Sequence, residues 1–113
     1  MLDTFAALAE PNRFRIVDLL RAGPRPVNDI GERLRLSPPQ VSTHLRTLKA
    51  AGLVDVEPRA QQRFYQLRPE PIRAIDTWLE GYRALWDARF RGLDGLIEEI
   101  KTREKPHARN QRR

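Results

Sequence analysis

Between Pro38 and Val54 the chain carries Gln40, Ser42, Thr43, His44, Arg46, Thr47 and Lys49, and not one carboxylate. Amides, hydroxyls and cations are the groups that read base edges and neutralise phosphates. A solvated helix usually mixes both charge signs, because opposite charges four residues apart support one another. This stretch is therefore expected to meet an anion. Little other chemistry is on offer. The sequence has no cysteine and only two histidines, His44 and His107, which excludes disulfides, thiolate metal sites and cysteine nucleophiles. Ser42 and His44 form no dyad, since residues two apart on a helix diverge by roughly 200°. No Gly-rich phosphate loop occurs either, so an enzyme is not expected and no cofactor is implied.

The elements that must hold these residues can be read around them. Ser37 stands where an N-cap belongs, Pro38 suits the first helical position, and Gln40 completes a capping-box pattern. Gly52 supplies the stop. At roughly 100° per residue, Val41, Leu45 and Leu48 share one stripe, with Thr43 and Arg46 on the opposite side and Gln40, Ser42, Thr47 and Lys49 on the flanks. His44 projects about 60° from the apolar stripe, where it is expected to reach a phosphate or base edge, with local packing as the alternative. Upstream, the spacing predicts helices over Asp3 to Glu10, from Pro11 to Arg21 and over Val27 to Leu34, with residues 23–26 (GPRP) as a turn rather than a strand. Downstream, the apolar period drops to two. Leu53, Val54 and Val56 form one extended run and Arg63 to Leu67 another, joined by a polar linker over 58–63. The hairpin tip carries Arg59, Gln61, Gln62 and Arg63 and lacks Asn, Asp and Gly, which favours contact with phosphates over a solvated turn. The whole is mainly α with a β-hairpin wing, a winged helix-turn-helix.

The formal charge of +6 is segregated. Arg33 to Arg68 has seven cations and two acids, Glu70 to Ile100 four cations and seven acids, and Lys101 to Arg113 six cations and one acid. A basic middle of this kind attracts polyanions, chiefly nucleic acid. At 113 residues one domain is expected. No apolar run approaches the roughly 18 residues of a membrane span, so the expectation is a cytoplasmic protein with no membrane partner. Residues 101–113 lack apolar spacing and read as a disordered basic tail, which either adds attraction to phosphates or is simply solvated. From Pro69 to Ile100 apolar residues recur every three or four positions. A helix of about 30 residues would span about 45 Å, more than a compact domain of this size can cover. Its apolar side needs a partner, and a second copy of the same helix is the obvious one.

Residues 3–100 resemble the ArsR-type winged helix-turn-helix repressors. The resemblance is carried by FAALAEPNRFRIVDLL at 5–20, LSPPQVSTHLRTLKAAGLV at 36–54 and RFYQL at 63–67. It implies a homodimer that sets two recognition helices into successive major grooves of double-stranded DNA at an inverted-repeat operator. By position, Gln40, Ser42, Thr43, His44 and Arg46 would face the groove, Arg59, Gln62 and Arg63 would form the wing contact, and Ser37 and Lys49 complete the candidate set. The dimer seam would use Leu2, Phe5, Leu79, Tyr82, Trp86, Phe90, Leu93 and Ile97. Many relatives sense metals, but here residues 25–30 hold neither Cys nor His, and the last helix has carboxylates without a histidine. Transition-metal sites favour N and S ligands, so metal sensing is not expected. Any small-molecule effector is left open; the aromatic group Phe5, Trp78, Tyr82 and Trp86 reads as packing rather than as its site. The competing functions are an architectural DNA coater and a winged-helix protein–protein module.

Overall fold

In the computed structural model the described residues are 1–103, apart from the side chains of Leu93, Asp94, Leu96, Glu98, Glu99 and residues 101–103. Helices α1 (Leu2–Leu8) and α2 (Pro11–Leu20) are followed by a two-residue strand β1 (Arg25–Pro26), α3 (Val27–Leu34) and α4 (Pro38–Ala50). Strands β2 (Val54–Arg59) and β3 (Gln62–Leu67) form the wing, and α5 runs from Pro69 to Arg103. The chain divides into two compact units, Met1–Asp76 and the part from Thr77 onward.

The core of the first unit comes from every helix up to α4 and from the start of β2. Ile16, Ile30, Val41, Leu45, Leu48, Leu53 and Val54 are fully buried there. The three α4 residues among them are the stripe expected from helical spacing. Tyr65 and Leu67 of β3 pack against this core from the sheet. α1 turns differently from its apolar pattern: Thr4 and Ala7 are buried, while Leu2 and Phe5 are exposed.

Residues 23–26 depart from the sequence reading. Arg25 pairs with Tyr65 and Pro26 with Phe64, adding β1 to the hairpin in the order β1-β3-β2. Proline lacks the N–H a ladder needs, so it is tolerated here because β1 is an outer strand. The wing is also longer than expected. Its register runs from Val54 opposite Leu67 to Arg59 opposite Gln62, leaving Ala60 and Gln61 as the turn. Pro58 fits within β2 because that strand is the other edge of the sheet.

Two backbone positions set the ends of the helix-turn-helix. Gly52 takes φ 77°, and hydrogen bonds from Gly52 N to Lys49 O and from Leu53 N to Leu48 O close α4 in a Schellman turn. Arg35 closes α3 at φ 59° with an exposed side chain that forms no hydrogen bond or ion pair among the described residues. A left-handed conformation costs an L-residue roughly 1–2 kcal/mol, partly offset by the entropy glycine loses on folding. Arg35→Gly is therefore expected to stabilise the protein by about 0.5–1 kcal/mol, read as a higher urea midpoint at unchanged slope.

α5 has 35 residues and continues to Arg103, three residues into the stretch read as a tail. The remainder of that tail lies outside the described residues.

Candidate nucleic-acid interface

α4 is closed at its N-terminus by its own side chains. Gln40 N donates to Ser37 Oγ at 3.3 Å, and Ser37 N donates to Gln40 Oε1 at 2.8 Å. Pro38 and Pro39 have no N–H, and Val41 N is bonded to Ser37 O. The first turn thus offers no free backbone donor to an anion, and only its side chains could meet one. Ser37 and Gln40 each commit an oxygen to the cap, which leaves the Gln40 amide N–H₂ and the Ser37 hydroxyl proton outside it.

Ser42, Thr43, Arg46, Thr47 and Lys49 are exposed along the open side of α4. Thr47 Oγ1 donates to Thr43 O at 3.3 Å, a bond within the helix. Among the described residues Arg46 and Lys49 have no ion-pair partner, so their charge is available to an outside anion.

His44 is placed otherwise. Its side chain is only 15% exposed, with Nδ1 3.9 Å from Glu10 Oε1 and no hydrogen-bond partner. It faces the start of α2 and stands apart from the open side. Of the two roles left by helical projection, local packing is the one the geometry supports. Glu10 is the N-cap of α2, accepting the Arg13 N–H at 2.9 Å. That hydrogen bond, helped by the nearby His44 and Arg13 charges against the opposing effect of burial, holds its carboxyl below the usual range. Arg13 in turn donates from Nε to Ala7 O at 2.8 Å, tying α1 to α2. Glu10 carried no sequence signal beyond its place before Pro11.

In the wing, Gln62 and Arg63 are exposed, and Arg63 has no ion pair among the described residues. Arg59 is engaged: its guanidinium lies 4.5 Å from the Phe64 ring centroid and 3.4 Å from Glu57 Oε1. Its charge is partly compensated, so Arg63 is the freer of the two wing cations.

A link between β1 and α3 supports the wing from below. Arg25 Nη1 donates to Asp29 Oδ2 at 2.9 Å, and Arg33 Nε approaches both Asp29 oxygens at 3.3 Å. The Arg25 hydrogen bond chiefly, with the Arg33 charge, holds the Asp29 carboxyl below its ordinary 3.8. A depressed carboxylate stabilises the fold above its unfolded value and loses that contribution as pH falls through the folded one. Asp29→Asn should therefore lower stability at about pH 7, with the gap to wild type narrowing as pH falls below the ordinary 3.8. Urea melts of both proteins across that range check this. Arg25 enters this link only through the pairing of β1.

In the second unit, Trp78, Tyr82, Leu85, Trp86 and Phe90 are exposed along α5, and Leu79 and Ile97 are half-buried. Trp78 and Tyr82 meet edge to face, with ring centroids 5.1 Å apart. The Leu93 side chain lies outside the described residues. No helix among the described residues is long and apolar enough to cross a membrane.

Three helices, a capped recognition helix with an acid-free open side and a basic three-stranded wing define a winged helix-turn-helix DNA-binding domain. Residues 10–56 match the family model described as bacterial regulatory protein, arsR family. The chain is 38% identical over 92 residues to the HTH-type transcriptional regulator Rv2034 of Mycobacterium tuberculosis, covering 81% of this chain and 83% of that one. It is 32% identical over 79 residues to the transcriptional repressor SdpR of Bacillus subtilis, covering 70% and 88%. Its fold matches the homodimeric winged helix-turn-helix DNA-binding domain of Mb0332 from Mycobacterium bovis, with TM-score 0.59, 24% identity, and 96% of this chain and 86% of that one covered. The protein belongs to the arsR family of bacterial transcriptional regulators.

Proposed function

We propose that the protein is a homodimeric repressor that reads an inverted-repeat operator through α4 in the major groove, in the cytoplasm and without a bound metal. The observation that carries this reading is the open side of α4. It combines two cations without ion pairs among the described residues with hydroxyls and an amide, and has no carboxylate from Pro38 to Val54. Gln40, Ser42, Thr43, Arg46 and Lys49, with Gln62 and Arg63 of the wing, are its DNA contacts. His44 serves by seating α4 against Glu10.

Dimerisation is supported by the apolar stripe of α5, since five large apolar side chains from Trp78 to Phe90 are exposed in the single chain. Repression is supported by the likeness to SdpR, itself a transcriptional repressor. Metal independence is supported by the donor set: no thiolate exists in the sequence, and one of its two histidines faces Glu10.

A mobility-shift titration with competitor DNA tests the reading. The protein is expected to hold the promoter fragment upstream of its own gene against excess random duplex, with affinity falling steeply as salt rises because bound counterions are released. Equal competition by every duplex would make it an architectural coater instead. No shift with any DNA would leave a protein–protein module.

A further inference from the structure

Between α3, the start of α4 and the wing lies a groove of about 560 Å³, within the roughly 300–1,000 Å³ typical of small-molecule sites. Val27 and Leu36 give it an apolar floor, while the exposed Glu32 of α3 and Arg63 of β3 line its polar walls. Neither charge has an ion pair or hydrogen bond among the described residues, and the two do not pair with each other. An uncompensated cation and an uncompensated carboxylate on different elements, above an apolar floor, complement an apolar zwitterion. An apolar anion would satisfy Arg63 and face Glu32 unfavourably; an apolar amine would do the reverse.

We propose that this groove binds an α-amino acid with a large apolar side chain. The side chain covers Val27 and Leu36, the carboxylate meets Arg63 and the ammonium meets Glu32. Its consequence rests on the DNA-binding reading above. Pro38, Gln62 and Arg63 also line the groove, at the start of the recognition helix and in the wing, so occupant and duplex exclude one another and each weakens the other's binding by the same factor.

L-Tryptophan titrated into the full chain, with backbone amides followed by NMR, tests the site with no DNA present. Saturable shifts are expected at Val27, Gly31, Glu32 and Arg63. Glu32→Gln should weaken binding about fivefold, the upper worth of an exposed ion pair. Indolepropionate and tryptamine, each lacking one of the two charges, should bind wild type about fivefold more weakly than tryptophan. No shift at these residues up to ~10 mM, or shifts confined to Trp78–Phe90, would overturn the site. Equal binding of all three compounds would overturn the zwitterion. In a second arm, with wild type and Glu32→Gln brought to the same initial saturation with duplex, tryptophan is expected to release the duplex from wild type and to do so less readily from Glu32→Gln. Groove binding without release would overturn the coupling. Absence of DNA binding altogether would strike the repressor reading, while the NMR arm still decides the site.

Discussion

Trp86→Glu is expected to convert the protein from dimer to monomer at micromolar concentration and to remove most of its operator affinity. Trp86 lies in the middle of an exposed aromatic run on α5, with Tyr82 a turn before it and Phe90 a turn after. A large aromatic at the centre of an interface costs about 2–4 kcal/mol when removed. A two-fold interface contains it twice, and a buried, unpaired carboxylate adds a desolvation penalty. The dimer dissociation constant should rise by about 10³-fold or more. Operator affinity should fall by roughly 10²–10⁴-fold, because the second half-site is then no longer bound intramolecularly. Sedimentation equilibrium reads the first effect and a mobility shift the second. The fully buried core residues among those described all lie between Ile16 and Val54, so the circular dichroism of the variant should show its first unit folded. A variant that stays dimeric would move the seam away from Trp86, and a monomeric wild type would remove the dimer.

The recognition helix was legible because each of its signals is local. Ser37, Pro38 and Gln40 fix its start through bonds spanning three residues, and Gly52 fixes its end through a left-handed turn. Val41, Leu45 and Leu48 are buried for the reason their spacing implies. β1 was not legible, because two residues containing a proline become a strand only through pairing with Phe64 and Tyr65, almost forty positions away. The wing turn was equally silent. Ala60 takes φ 53° without the Asn or Gly that usually announces such a position, and the strands therefore looked shorter than they are. His44 shows where helical projection runs out. At the edge of the apolar stripe the angle alone leaves two roles open, and the choice is made by Glu10, the N-cap of another helix. The same dependence on partners applies to Arg59, which reads as a free cation in the sequence but lies over Phe64 beside Glu57.

Those placements concentrate the burden of sequence reading on few groups. With the α4 N-terminus closed by its capping box and two prolines, with His44 turned inward and Arg59 engaged, Arg46 is the long cation best placed to enter the major groove. It is exposed on the side opposite Val41, Leu45 and Leu48 and has no ion pair among the described residues. A bidentate arginine–guanine contact is worth about 1–3 kcal/mol of discrimination. Arg46→Ala should accordingly weaken operator binding roughly 5–150-fold and bring the affinities for operator and random duplex closer together. Lys49→Ala, in the last turn of α4, is expected to weaken both duplexes alike and to reduce the salt slope by about one unit, as a phosphate contact does. Competition titrations of both variants at several salt concentrations separate the two behaviours. If Arg46→Ala instead lowers both affinities equally with a shallower salt slope, Arg46 holds a phosphate, and specificity passes to Gln40, Ser42 and Thr43.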